Sequence, residues 1–292
     1  MAKNDIEMNA GAKLEQLRAS LREIESAAVA FSSGVDSTFL LRVAHELLGD
    51  RAVAVTIRSS TFPKRELDEA AAFCRAEGVR HEIIDSCELD IPGFAENPPD
   101  RCYLCKKAIF GKMMKFAQAN GLKAVLEGSN KDDDGDYRPG RRAIREFGRD
   151  GACPSQVYVA SPLHDAGFTK AEIRALSRRM GLPTADKPSF ACLASRFPYG
   201  ERLTVAALER VERAERWLRE ELGLTQLRVR SHGDLARIEV PPDDIPRLAA
   251  RAAEIAAAFK GLGFAYVTLD LLGYRTGSLN ETLAAKERKA GE

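Results

Sequence analysis

The run Ser32-Ser33-Gly34-Val35-Asp36-Ser37 combines small side chains, three hydroxyls and one carboxylate in a stretch short enough to wrap an anion. Small residues let the backbone approach phosphate closely, and hydroxyl donors supplement the amides. A P-loop would carry lysine before its terminal Ser or Thr; here that place holds Asp36, which repels phosphate unless a cation stands between them. The loop is therefore expected to cradle a pyrophosphate through a bridging Mg²⁺. Cysteines offer a second chemistry. Cys102 and Cys105 stand three apart in Arg101-Cys102-Tyr103-Leu104-Cys105-Lys106. On a helix they share a face, and a helix amino terminus with Arg101, Lys106 and Lys107 nearby favours thiolate. Such a pair is compatible with a redox couple, half of a zinc site or part of an iron–sulfur site. A complete four-cysteine zinc site would need a second close pair, which the chain lacks. Cys74 falls in a helical pattern and reads as a small buried hydrophobe, while Cys87 and Cys153, in apparent loops without a partner at ligand spacing, read as structural. None of the four histidines stands at ligand spacing from a cysteine.

These residues need a frame. An apolar run over residues 27–31 precedes the loop and a helical pattern over 38–48 follows it, so the unpaired N–H groups of the first helical turn would point at the anion. Further strands are expected at 52–57, 82–85, 124–127 and 157–160, with helices at 12–25, 63–77 and 103–119. Alternating strands and helices imply an α/β fold with a doubly wound parallel sheet. Ligands bind such sheets at the carboxyl ends of the strands, so residues 32–37, 56–60 and 127–130 are expected to converge. Thr169-Lys170-Ala171-Glu172 is a capping-box pattern that opens a helix ending near Gly181-Leu182-Pro183. The expected organisation is a nucleotide domain over 1–183, a long loop over 184–203 carrying Cys192, and a smaller α/β domain over 204–292. The smaller domain reads as a helix at 204–222, strands at 226–230 and 237–240, a helix at 243–259 and a strand at 264–270, with a charged tail after Leu279 expected to fray.

Composition narrows the class. With 292 residues, 45% hydrophobic and 30% charged, the chain reads as a globular protein large enough for two cores. Its net charge of +1 gives no global drive toward nucleic acid, and Arg138, Arg141, Arg142 and Arg145 read as a solvated face. No apolar stretch approaches the ~20 residues that span a bilayer, and the first residues lack a signal-peptide core, so a cytoplasmic location without disulfides or membrane contact is expected.

The string SSGVDS resembles the SGGxDS signature of the PP-loop ATP pyrophosphatases, departing from it at Ser33, where glycine is usual. Taken in order with the Cys102–Cys105 motif, Pro188-Ser189-Phe190-Ala191-Cys192-Leu193-Ala194-Ser195-Arg196, the Arg228-Val229-Arg230 segment and Gly273-Tyr274-Arg275-Thr276-Gly277, it makes the chain resemble the LarE family of ATP-dependent sulfur transferases from about residue 12 to about residue 282. That resemblance implies a PP-loop domain holding ATP on Ser32, Ser33, Gly34, Val35, Asp36 and Ser37. It implies adenylylation of a carboxylate of a pyridinium dicarboxylate mononucleotide, then replacement of AMP by sulfur, in the making of a nickel-pincer nucleotide. Family members with a single active-site cysteine give up the sulfur of the residue matching Cys192. The presence of Cys102 and Cys105 resembles instead a three-cysteine branch, in which Cys102, Cys105 and Cys192 hold a [4Fe–4S] cluster that delivers an added sulfide. Ser195 and Arg196 beside Cys192, and Arg228, Arg230 and Arg275, match polar groups for the substrate phosphate and carboxylates. Glu201 and Arg202 are weaker candidates for that pocket. Arg228 and Arg230 point to one side of a strand, where a solvated face is the plain alternative, and Asp132, Asp133 and Asp134 read as an exposed turn. The resemblance further implies a small-molecule nucleotide substrate and a homo-oligomer, up to a hexamer. A tRNA-thiolating PP-loop enzyme, an ammonia-using PP-loop ligase and a zinc-stabilised nucleotide-binding regulator are the rival readings.

Overall fold

The apolar run ahead of the serine-rich loop forms strand β1, Ala27–Ala30, and a computed structural model, which describes residues 3–134, 137–151 and 156–283, places it at the centre of a five-stranded sheet. Cys153 and most of the tail after Leu279 lie outside the described residues. The sheet runs β3 (His81–Asp85), β2 (Ala52–Arg58), β1, β4 (Ala124–Leu126), β5 (Tyr158–Ala160), and every pairing is parallel. Parallel strands covered on both faces must be apolar on both, and alternate residues go to different cores. Ala27, Val29, Ala52, Ala54, Ala124 and Leu126 pack into one core; Ala28, Val53, Val55 and Val125 pack into the other. Helices α1 (Lys3–Ile24), α2 (Val35–Leu48) and α3 (Lys64–Glu77) serve the first core, and α4 (Arg101–Ala119) and α5 (Gly140–Phe147) the second. The chain moves away from β1 first through β2 and β3, then on the other side through β4 and β5. That reversal puts the topological switch point, where sheets of this kind take their ligands, at the carboxyl ends of β1 and β4.

After the one-turn helix α6 (Pro162–Asp165), the expected capping box opens α7 (Lys170–Arg179). Thr169 Oγ1 accepts from the Glu172 amide, and Glu172 Oε2 accepts from the Thr169 amide at 2.8 Å. Sequence patterning gave no helix at 140–147, because its interior is basic; the structure forms α5 there, with Ala143 buried. Cys74 is buried within α3, and desolvation pushes its thiol up to about 12, as a small hydrophobe requires.

The chain divides into two compact units. One holds the large sheet and includes residues up to Ser86 and Cys102–Phe190. The other takes in Cys87–Arg101 and the chain from Ala191 onward, so Cys192 belongs to the smaller unit rather than to a separate linker. Residues 87–101, which sequence placed with the large sheet, join the smaller unit through backbone and amide bonds: Leu203 N to Ala95 O at 2.7 Å, Gly200 N to Asn97 O at 2.9 Å, and Asn97 Nδ2 to Pro198 O at 2.7 Å. In that unit α8 (Val205–Leu222) packs on β6 (Arg228–His232), which pairs antiparallel with β7 (Leu235–Glu239). Strand β8 (Tyr266–Leu269) adds parallel to β7. The helix expected over 243–259 is two helices, α9 (Ile245–Ala250) and α10 (Ala252–Gly261), broken at Arg251. Among the described residues no helix is long and apolar enough to cross a membrane.

Candidate active site

The large unit brings the expected loops together. Thr56 Oγ1 on β2 donates to Phe31 O at 2.8 Å, and Asn130 Nδ2 donates to Asp36 Oδ1 at 3.2 Å. Residues 32–37 thus lie between the exits of β2 and β4. Gly128 explains how closely the chains approach. A Cβ there would sit 3.3 Å from the Ser37 amide and 3.4 Å from Asp36 Cβ, against the first turn of α2. Within the loop, the Ser37 hydroxyl donates to Gly34 O at 3.2 Å and accepts from the Ser32 amide at 3.3 Å. The left-handed residue is Ser33, with φ of 53°, whereas Gly34 has an ordinary φ of −79°. A non-glycine residue in that region costs about 1–3 kcal/mol, so contacts must hold it. The Ser33 hydroxyl donates to Glu66 O at 3.1 Å and accepts from Lys187 Nζ at 3.1 Å.

Asp36, expected to anchor a cation, has its carboxylate on the Lys170 ammonium. Sequence reasoning used Lys170 only as a helix-start residue; no local pattern ties it to a loop 134 positions away. Glu127, at the exit of β4, is buried and accepts from the Ser129 and Ser161 hydroxyls at 2.8 and 2.5 Å. In the acidic run at 132–134, expected as an exposed turn, Asp132 and Asp134 are exposed and Asp133 is not. Lys131–Asp133 form a short 3-10 turn capped by Asn130, and Asp133 is buried, which pushes its carboxyl up despite the nearby Arg138. At the exit of β2, Ser60 Oγ is shielded from solvent and has no hydrogen-bond partner among the described residues.

The two thiols of the Cys102–Cys105 motif occupy the first turns of α4, Cys102 exposed and Cys105 half-buried. Lys106 Nζ reaches Glu127 Oε2 at 3.5 Å, so that helix face turns toward the β4 exit. The other cations expected beside the thiols are committed elsewhere. Arg101 donates to Asn97 Oδ1 at 2.7 Å, and Lys107 binds the Tyr103 hydroxyl at 3.0 Å and Glu146 at 3.2 Å. Of the four arginines read as a solvated face, Arg138, Arg141 and Arg142 each pair with an acid: Asp133, Asp134 and Glu146. The five cysteines among the described residues are reduced thiols, and no three His, Cys, Asp or Glu side chains among those residues are grouped to hold a metal ion.

In the smaller unit Cys192 caps the 3-10 turn Leu193–Arg196 and is half-exposed. Its carbonyl accepts from the Ser195 hydroxyl at 2.8 Å and from Arg196 Nη1 at 3.2 Å. Arg196 is 0% exposed. Its guanidinium forks onto Glu215 at 2.8 and 3.1 Å while Nη1 donates to Ala191 O at 2.6 Å, so it shapes the loop from beneath. Arg230 forks onto Glu239 at 3.0 and 2.8 Å and donates to Ser195 O at 2.7 Å. Arg228 and Arg230 are buried, which removes the solvated-face alternative. Arg275 pairs with Glu281 and Asp270, and Asp270 meets Arg237, which in turn meets Glu239. Glu201 accepts from the Gly233 amide at 3.2 Å, and Arg202 pairs with Glu96 at the surface. Burial, and next the charge of Arg196, push the Arg228 guanidinium down to about 10. The depression reflects loss of water around the guanidinium first and its arginine neighbours second.

No family model matches the chain. An uncharacterized protein of a Synechocystis strain is 43% identical over 273 residues, covering 93% of this chain and 98% of that protein. The pyridinium-3,5-bisthiocarboxylic acid mononucleotide synthase of Lactiplantibacillus plantarum is 37% identical over 272 residues, covering 93% of this chain and 95% of the synthase. The chain belongs to the LarE family. It is accordingly a sulfur-transferase enzyme on a PP-loop α/β fold, and the fold extends beyond LarE proteins: a tRNA-specific 2-thiouridylase MnmA of Agrobacterium fabrum is 30% identical over 192 residues, 54% of this chain and 48% of that enzyme.

Burial alone would raise the Glu215 carboxyl, yet Arg196, Arg219 and Arg228 bring it down from 4.5 to about 2. A depressed folded-state value stabilises the fold above the unfolded value, so this contribution is complete above about pH 5 and is lost as pH falls toward 2. Glu215→Gln strands the buried Arg196 and is expected to cost about 3–5 kcal/mol at neutral pH, with a flatter acid limb in urea unfolding followed across pH. Gly128→Val presses a branched side chain into the α2 turn and is expected to cost about 1–3 kcal/mol in the same assay, with helix content unchanged by circular dichroism.

Proposed function

We propose that this enzyme uses ATP and Mg²⁺ to adenylylate a carboxylate of a pyridinium dicarboxylate mononucleotide and then exchanges AMP for sulfur, giving a thiocarboxylate of a nickel-pincer nucleotide precursor. The observation that carries this reading is the near full-length likeness to the Lactiplantibacillus synthase, whose name is that of a bisthiocarboxylate mononucleotide. The chemistry of the loop supports it. Ser32, Ser37 and the backbone from Ser33 to Ser37 offer donors for the β- and γ-phosphates at the α2 amino terminus. Asp36, with Lys170 giving way, would hold the Mg²⁺ that shields it from those phosphates. Ser60 supplies a donor at the exit of β2.

A carboxylate repels nucleophiles. Its attack on the α-phosphorus breaks the bond to the β-phosphate oxygen, expels pyrophosphate and leaves an acyl adenylate whose acyl group no longer carries the carboxylate charge. A sulfur nucleophile then forms the C–S bond as AMP departs with the electron pair of the C–O bond. Arg228 and Arg230 draw the substrate phosphate and carboxylates, Arg275 reaches the same network through Asp270, and Ser195 and Arg196 hold the Cys192 turn in shape. When bound, a [4Fe–4S] cluster on Cys102, Cys105 and Cys192 would supply sulfide at an iron that the protein leaves open. The Cys102–Cys105 pair lies in the first turns of α4, and among the described residues no three His, Cys, Asp or Glu side chains are grouped to hold a metal ion. We place this activity in the cytoplasm and in a homo-oligomer.

The test is exchange of radiolabelled pyrophosphate into ATP. Exchange that depends on the mononucleotide and disappears when its carboxylates are absent supports the reading. Exchange driven by tRNA, or exchange indifferent to any acceptor, contradicts it. Under anaerobic turnover, the mass of the protein then separates sulfur sources: loss of the elements of hydrogen sulfide from Cys192 identifies sacrifice, and an unchanged mass over repeated turnovers identifies added sulfide.

A further inference from the structure

Lys187 has no part in the chemistry above, yet its position in the large unit is over-determined. Its ammonium donates to Ser33 O at 3.0 Å, Ser33 Oγ at 3.1 Å, Glu66 Oε2 at 2.6 Å and Glu69 Oε2 at 2.5 Å. The Lys187 side chain is 13% exposed and that of Glu66 1%. The backbone that carries Lys187 is itself pinned, since Arg174 on α7 donates to Ala185 O at 2.5 Å and to Lys187 O at 2.8 Å. Cys192 follows five positions later in the chain. One ammonium therefore joins the strained residue of the phosphate loop, two carboxylates of α3 and the chain entering the sulfur-bearing turn.

We infer that residues 184–189 form a strap governed by the nucleotide loop, with Lys187 as the positioning residue that couples loop occupancy to the segment leading into Cys192. The physical reasons lie in charge and in backbone geometry. An anion seated on the amides after Ser33 fixes the very peptide whose carbonyl Lys187 holds, and its charge strengthens the pull on the ammonium while opposing Glu66 and Glu69. An occupied loop thus tightens the strap, and release of pyrophosphate loosens it. Two carboxylates so near a phosphate site would otherwise repel the ligand; Lys187 and Arg65, which pairs with Glu66 at 2.7 Å, balance them. This inference rests on the proposed nucleotide role of the loop and adds a regulatory contact to it.

The test is hydrogen–deuterium exchange of the full chain, with and without saturating α,β-methylene ATP and Mg²⁺, binding being confirmed by calorimetry. In the wild type, the peptide covering residues 184–190 is expected to exchange about tenfold more slowly with the analogue bound, alongside protection of the loop itself. In Lys187→Met the analogue binds more weakly but, at a concentration that calorimetry shows to saturate the variant, still protects the loop while leaving 184–190 unchanged. The double variant Lys187→Met with Glu66→Gln leaves no buried carboxylate short of its lysine partner, and it is expected to behave like the single variant even where that one folds poorly. Unchanged exchange of 184–190 in the wild type at saturation, or retained protection in either variant, overturns the strap. Failure of the wild type to bind the analogue at all overturns the nucleotide reading and the coupling together, and calorimetry separates that result from the others.

Discussion

Cys192→Ala is expected to lower thiocarboxylate formation by at least about a thousandfold while acceptor-dependent pyrophosphate exchange survives. The two proposed half-reactions would use different parts of the chain. The proposed adenylylation would draw on the loop between β1 and α2 in the large unit, whereas Cys192 lies in the smaller unit, on a turn whose shape is set by backbone bonds and by Arg196. Removing the sulfur atom leaves Arg196, Glu215 and Ser195 in place, so folding should be little changed. The measurement is exchange and product formation on the same preparation. Parallel loss of both activities would mean that Cys192 acts on folding or nucleotide binding and has no special part in sulfur delivery.

Asp36→Asn should do the reverse, cutting pyrophosphate exchange by about 100- to 1,000-fold and carrying product formation down with it. The substitution keeps the shape of the side chain and its contact with Asn130 but removes the charge that would hold Mg²⁺. It also releases Lys170, whose ammonium then lies near the phosphate loop without its carboxylate. If Asp36 served only to neutralise Lys170, Asp36→Asn would tighten nucleotide binding without metal; if it anchors Mg²⁺, binding of Mg–ATP weakens and raising Mg²⁺ does not restore the rate. Calorimetric titration at several Mg²⁺ concentrations distinguishes the two.

Much of this architecture was legible in the chain because it depends on short-range pattern. Apolar residues on both parities of β1 and β2 signal burial on both faces, and the Thr169–Glu172 capping box marks a helix start through bonds that span three residues. The small residues of 32–37 indicate close backbone approach, although the left-handed conformation falls on Ser33 and is held by Glu66 and Lys187, both remote in sequence. What sequence missed is mostly long-range pairing of charge. Arg196, Arg228 and Arg230 read equally well as surface residues until Glu215 and Glu239 are placed beside them, 19 and 9 positions away from the arginines they fork onto. The acidic run at 132–134 is the exposed turn its sequence suggests at Asp132 and Asp134, but the burial of Asp133 in a turn closed by Asn130 left no local signal. Helix α5 escaped because four of its eight residues are charged, which hides the buried alanine that docks it. Residues 87–101 gave no periodicity at all; their place in the smaller unit is fixed by Asn97 and the backbone of Ala95.

The central claim is that one enzyme both activates a carboxylate with ATP and gives it sulfur. Its most direct test is anaerobic incubation of the purified chain with ATP, Mg²⁺, iron, sulfide and the pyridinium dicarboxylate mononucleotide, with nucleotides and product quantified together. AMP and pyrophosphate are expected in equal amounts, matched by a thiocarboxylate on the mononucleotide. ADP and orthophosphate as products, or AMP formed while the acceptor gains no sulfur, would contradict it.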